Sequence, residues 1–324
     1  MAQKPRGLKS IQDAREQRKH RTRASLTFWV YALAGIAVAT VAYRLVTRSQ
    51  LNSRKEDMFG ARSSLESGVG REWNALSAQL ERFTLEEAGD YRGDLMDKSV
   101  AGWDFRSLAG IYLRVRAAEA KTVETLRRAG EDSARDGFTS CLLRPTVGGS
   151  QAMDAGAIQD RPWNLRQGYA ATRVLTPEWK ALASEASDDH RLRVFEEQYD
   201  KATKQDIPLA VEMLKEAEFF LLVLDEDVDA GRDQDGGAIT EESLQLVKHP
   251  ARVTLFNLKS GVPVFRTRKA SEGGYRLSSE HAMTDPAIRD AMKRQVNNCA
   301  LANDVNNALA DDRPAGHGDA GTSK

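Results

Sequence analysis

Residues 219–224, FFLLVL, and residues 252–268, RVTLFNLKSGVPVFRTR, decide the fold class. The second stretch holds two runs of β-branched and aromatic residues with Ser260-Gly261 between them, which is the pattern of a β-hairpin. Pro263 has no N–H to give to a ladder, so an edge is expected at that point of the second arm. FFLLVL is short, wholly apolar and bounded by Glu218 and Asp225. Such a run fits a buried strand or a buried helix end. The hairpin needs a partner strand, and this favours the strand. Gly274-Tyr275-Arg276-Leu277 offers a fourth short strand.

Outward from this sheet the pattern turns helical. Leu65, Val69, Trp73, Leu76, Leu80 and Phe83 recur at spacings of three and four, giving a helix over 47–88 weakened at Gly60, Gly68 and Gly70. The same periodicity, through Phe105, Leu108, Ile111, Tyr112, Val115 and Leu126, predicts a second helix from Asp104 to Ala129, capped by Gly130. Phe138 to Leu143 reads as a short strand or extended segment carrying Cys141. Residues 145–162 are rich in turn formers. Thr176-Pro177-Glu178 starts a helix, with Thr as the cap and Pro in the first turn, expected to run to about Lys204. Further helices start at Asp206-Ile207-Pro208 and Thr284-Asp285-Pro286. The expected class is α+β, helix-dominated, with a small antiparallel sheet of three or four strands built on hairpin 252–268.

At the N-terminus, Leu26 to Tyr43 (LTFWVYALAGIAVATVAY) is 18 residues without a charge. A bilayer core of roughly 30 Å takes about 20 helical residues, so residues 26–46 read as one transmembrane helix. Trp29, Tyr31 and Tyr43 sit near its ends, and Arg44 is placed to snorkel. Lys4, Arg6, Lys9, Arg15, Arg18, Lys19, Arg21 and Arg23 precede it, against only Asp13 and Glu16. Basic flanks stay cytoplasmic. The expectation is a cytoplasmic arm over 1–25 touching the lipid bilayer and a bulk that is extracytoplasmic, periplasmic if the source is a Gram-negative bacterium. A cleaved signal peptide ending at Ala37-Val38-Ala39 is disfavoured because the apolar run continues past that point. A buried soluble helix rarely follows so basic an arm. Gly35-x-x-x-Ala39 is a weak pattern for helix pairing and a homo-oligomer.

The exported organisation expected is a membrane-proximal helical region (47–144), a loop-rich connection (145–175), a helix–sheet–helix region (176–310) and a tail (311–324) with disordered composition. The whole chain has 47 basic and 47 acidic side chains, so removing the basic arm leaves an acidic remainder, which argues against nucleic acid. Its two cysteines, Cys141 and Cys299, are expected to form a disulfide in an oxidising compartment.

Catalytic motifs are missing from the sequence: there is no HExxH, GxSxG, P-loop or GxGxxG. The acidic run from Asp225 to Gly237 gives a degraded calcium-loop match through Asp233, Asp235 and Glu242, with Gly231 where an acid belongs. A solvated loop is the better reading, and no cofactor is expected. Trp163 is the aromatic best placed for a partner or ligand contact, beside the longest loop. The function expected is a single-pass anchored envelope protein whose exported domain mediates protein–protein interaction or has a structural role in a membrane complex. The alternatives are an extracytoplasmic sensor or ligand-binding domain acting through a partner subunit, and an envelope hydrolase using Asp/Glu acid–base chemistry.

Overall fold

A computed structural model describes residues 11–103, 108–132, 136–143, 162–228, 239–274 and 285–311. They divide between two compact units, one drawn from Met1–Ala61 and Leu182–Phe195, the other from Arg62–Ala181 and Glu196–Lys324.

The first unit is built on α1 (Ile11–Ser67), whose residues from Phe28 onward are long and apolar enough to cross a membrane. It is the one such helix among the described residues. Its large apolar side chains from Phe28 to Val46 are all between 56% and 75% exposed, so no part of the described chain covers them. Further along, Leu51 and Met58 are buried, as are Ala183, Ala186 and Leu192 in the same unit. Arg54 pairs with Asp189, and Lys55 Nζ donates to the Ser184 carbonyl at 2.7 Å. Helix α1 stops at Gly68, one of the expected weak points, and α2 (Val69–Glu87) follows.

The second unit is a sheet with helices on both faces. Its strands are β1 (Leu95–Met96), β2 (Gly110–Arg116), β3 (Trp163–Asn164), β4 (Phe219–Asp225), β5 (Pro250–Asn257) and β6 (Val262–Ala270). They lie in the order β1-β6-β5-β4-β2-β3. Strands β3, β2 and β4 are mutually parallel, whereas β4, β5, β6 and β1 are antiparallel. FFLLVL is β4 and the hairpin is β5–β6, as the sequence indicates, with a bulge between Leu255 and Phe256 opposite Pro263. The sheet is therefore mixed and six-stranded, not the small antiparallel one expected around hairpin 252–268. The proposed strand at 274–277 lies outside the described residues beyond Gly274.

One strand accounts for most of that correction. Gly110–Arg116, GIYLRVR, is a central strand, not the middle of a helix. Ile111, Leu113 and Val115 enter one core and Tyr112 the other. A strand buried on both faces is apolar without alternation, and its residues satisfy a helical spacing by chance. Gly110 is required by close approach: a Cβ there would lie 2.1 Å from the ring of Phe219, its register partner on β4. The helical part of this region is α3 (Val123–Asp132), and the expected extended segment at 138–143 is α4 (Phe138–Leu142).

The remaining helices are α5 (Arg166–Thr172), α6 (Pro177–Ser184), α7 (Asp189–Lys201), α8 (Ile207–Glu216), α9 (Glu241–Leu244) and α10 (Pro286–Asp311). Thr176 caps α6 as expected, its Oγ1 accepting the Trp179 N–H at 3.2 Å. Asp285 does the same for α10, accepting from Ala287 N at 2.9 Å. The helix expected to run unbroken from 177 to 204 is interrupted after Ser184, and a π turn at Ala202–Asp206 joins α7 to α8.

Each face of the sheet has its own core. On one, Trp73, Leu80 and Phe83 of α2 and Ala210, Val211 and Leu214 of α8 meet Ile111, Leu113, Val115, Phe220, Leu222 and Leu224. On the other, Leu301, Ala302, Val305 and Leu309 of α10, with Phe138, Cys141 and Leu142 of α4, meet Tyr112, Phe219, Leu221 and Val223. The Cys141–Cys299 disulfide ties α4 to α10, with Cα atoms 5.1 Å apart.

Candidate functional site

Parallel strands β2 and β4 are neighbours, and the chain leaves β2 for β3 on one side, then returns past it to β4 on the other. In open sheets this reversal leaves a crevice beyond the carboxyl ends of the strands, where ligands commonly bind. Two features occupy that end of the sheet: a buried charge network and a cleft.

The network starts from Arg114 of β2 and Asp225, the last residue of β4. Both point to the α4/α10 face, and both are buried, at 3% and 0% exposure. Arg114 Nε donates to Asp225 Oδ2 at 2.7 Å and Nη2 to Oδ1 at 2.9 Å, a bidentate pair. Its Nη1 reaches Asn298 Oδ1 on α10 at 2.6 Å and Asp136 Oδ2 at 3.2 Å. Tyr112 Oη donates to Asp136 Oδ2 at 2.6 Å, and Asp136 Oδ1 accepts the Phe138 N–H at the start of α4. On its far side Asp225 Oδ1 meets His249 Nε2 at 2.8 Å, while His249 Nδ1 meets the Val247 carbonyl at 3.0 Å. Asn298 Nδ2 donates to Gln245 Oε1 at 3.1 Å, and Asn297 Nδ2 to the Gln245 carbonyl at 2.8 Å.

Two cations and two carboxylates make this cluster neutral when all four are ionised. Burial pushes the Asp225 carboxyl up, but the Arg114 charge and the His249 hydrogen bond outweigh it and hold its pKa at about 2. Burial pulls His249 down, but its hydrogen bond to Asp225 and that carboxylate's charge leave it above the ordinary imidazole value. Burial, then the Asp136 charge, raise the Tyr112 phenol well above its ordinary value, so it stays a neutral donor.

The cleft, of about 490 Å³, lies beside this network. Glu119 follows β2; Thr125, Arg128, Ala129 and Asp132 come from α3; Ile239, Thr240, Glu241 and Glu242 lead into α9. Four carboxylates face one arginine, and Arg128 lies 3.7 Å from Glu124. Arg116, at the end of β2, staples the surrounding loops. It donates to Asp227 at 2.8 Å, to Glu119 at 3.2 Å and to the Ile239 carbonyl at 2.6 Å. A reciprocal Thr240–Ser243 capping box fixes the start of α9. The cleft is therefore preformed and acidic, suited to a cationic group.

Of the candidate residues read from sequence, Cys141 and Cys299 are brought together as a disulfide. Trp163 is 8% exposed, in the core, with Nε1 on Gln167 Oε1 at 3.1 Å. Glu242 is exposed on α9 in the cleft wall, while Asp233 and Asp235 lie outside the described residues. Among the described residues, no three His, Cys, Asp or Glu side chains are grouped to hold a metal. Sequence reasoning missed Arg114, Asp136, His249 and Asn298. The available signal was a lone arginine inside an apolar run, GIYLRVR, which demands a buried partner if the run is a strand. No protein-family model, curated protein or solved structure matches this chain.

Proposed function

We propose that the chain is a single-pass membrane protein with a cytoplasmic N-terminus, whose folded part lies on the opposite, oxidising side and works by binding a protein partner at the acidic cleft. The observation that carries the anchor is the exposed apolar surface of α1 from Phe28 to Val46. An uncovered apolar surface of that extent needs a non-aqueous environment. The orientation rests on two independent arguments. The arm before the span is strongly basic, and disulfides persist on the oxidising side.

The cleft sits on loops held by a rigid sheet, and its carboxylates suit a basic side chain of the partner. Its volume also suits a small cationic ligand, which supports a second reading as a ligand-binding domain acting through another subunit.

Two experiments test this reading. Membranes washed in alkaline carbonate are expected to retain the full chain; release into the supernatant would contradict the anchor. Partner recovery after mild crosslinking is expected to fall in a Glu241→Lys/Glu242→Lys double variant and at raised salt. Recovery unchanged by both would contradict the cleft.

A further inference from the structure

We infer that His249 is a proton-operated latch on the cleft: protonated, it holds the segment 241–249 to the sheet and to α10; deprotonated, it releases that segment. The consequence for binding rests on the cleft reading above, whereas the latch itself rests on geometry.

Both ring nitrogens of His249 face acceptors. Nδ1 lies 3.0 Å from the Val247 carbonyl and Nε2 lies 2.8 Å from Asp225 Oδ1. A neutral imidazole carries one N–H. With the proton on Nδ1, the Nε2 lone pair faces a carboxylate; with it on Nε2, the Nδ1 lone pair faces a carbonyl. Only the imidazolium satisfies both contacts. Asp225 does not serve as the alternative donor, because the Arg114 guanidinium, bonded to both its oxygens at 2.7 and 2.9 Å, holds that carboxyl ionised.

The charges around the ring come from every neighbouring element. β4 supplies Asp225, which faces the ring; β2 supplies Arg114 behind it, and Asp136 before α4 balances that arginine. From α10 come the neutral amides Asn297 and Asn298. Next along the sheet, Glu226 and Arg252 pair with each other, and Lys248 on the histidine's own segment is exposed. Losing the His249 proton therefore leaves a repulsive contact and a net negative buried cluster.

The connection from the ring to the cleft is short. Gln245, buried, accepts from Asn298 and Asn297 and donates through Nε2 to Glu241 Oε1 at 3.2 Å. Glu241 and Glu242 form one wall of the cleft. The segment that loses its hold at His249 is thus the segment that positions those two carboxylates, and raised pH loosens the wall.

The test uses the full chain in lipid nanodiscs. The ¹³Cε1 resonance of His249, assigned with His249→Asn, is followed with pH. Amide exchange of residues 239–249 is measured by mass spectrometry and corrected for the intrinsic pH dependence of exchange. The expected result is a midpoint above the ordinary imidazole value near 6.5. Protection of 239–249 should fall roughly tenfold or more across that midpoint, the size expected for losing a hydrogen bond to a charged group. A midpoint at or below 6.5, or protection that does not change across it, overturns the latch. If the Asn variant fails to fold, the wild-type exchange profile decides alone. Neither readout involves a partner, so failure of the latch leaves the cleft standing, and partner binding lost to neither charge reversal nor salt leaves the latch standing.

Discussion

The two faces of the sheet carry their buried charge in different places. Against α2 and α8 the contact over β2 and β4 is apolar, and Phe83 stacks on Phe256 of β5 at 4.5 Å between ring centroids. Its charges sit elsewhere on that face: Glu81 of α2 pairs with Arg127 of α3, and the buried Glu87 binds Arg266 of β6 and Thr254 of β5. Against α4 and α10, apolar packing by Leu301, Val305 and Leu309 gives way to the Arg114 network at the carboxyl end of the strands. Apolar burial supplies free energy but tolerates small displacements, and it does not titrate. A network of directed, charged hydrogen bonds fixes one placement of α10 on the sheet, and its strength depends on pH. The carboxyl end of β2 and β4, where the cleft lies, is the end held by the network.

Substitutions can break this contrast in order of expected size. Arg114→Ala leaves Asp225 and Asp136 buried without their main cation and is expected to cost about 3–5 kcal/mol in denaturant unfolding. A loss below about 1 kcal/mol would show that the network is ornamental. Leu222→Ala, in the opposite core, is expected to cost about 2–5 kcal/mol through the cavity it leaves. The network and the opposite core also differ in how their loss changes the pH profile of stability. Asp225, with its lowered pKa, contributes stability present above pH about 4 and lost as pH falls toward 2. His249, with its raised pKa, contributes stability present below about 6.5 and lost as pH rises through its folded value. The wild type should therefore fall away on both sides of a plateau. Leu222→Ala should lower that whole profile in parallel, while Asp225→Asn should flatten it.

Smaller effects sharpen the comparison. Gly110→Ala drives a methyl into the Phe219 ring on the network side and is expected to cost about 1–3 kcal/mol by overpacking. Thr176→Ala removes a cap remote from the network and is expected to cost about 1 kcal/mol with no change in the pH profile. A pH-dependent cost at Thr176 would mean that the titration is not confined to the carboxyl end.

The legible parts of the fold were those written in local chemistry. FFLLVL, the Ser-Gly hairpin, the Thr176 and Asp285 caps and the break at Gly68 each carry a short-range signal. The central strand GIYLRVR did not, because burial on both faces erases the period that separates strand from helix. Strands of two residues, β1 and β3, have no period at all. The network was hidden by separation: Arg114 and Asp225 are 111 residues apart, and Arg114 and Asn298 184 apart. Only the register of β2 on β4, which pairs Arg114 with Val223 and Arg116 with Asp225, places those charges together. The cleft carboxylates were likewise four among many acidic residues until the topology gathered them.

The compartment that holds the folded part decides its chemistry, and the Cys141–Cys299 pair reports that compartment. Whole-cell protein is denatured and treated with a maleimide–polymer conjugate, with and without prior reduction. A gel shift by two conjugates only after reduction is the predicted result, since the disulfide closing α4 onto α10 would then exist in the cell. Full labelling without reduction would mean free thiols, and would contradict an extracytoplasmic head on a cytoplasmic basic arm.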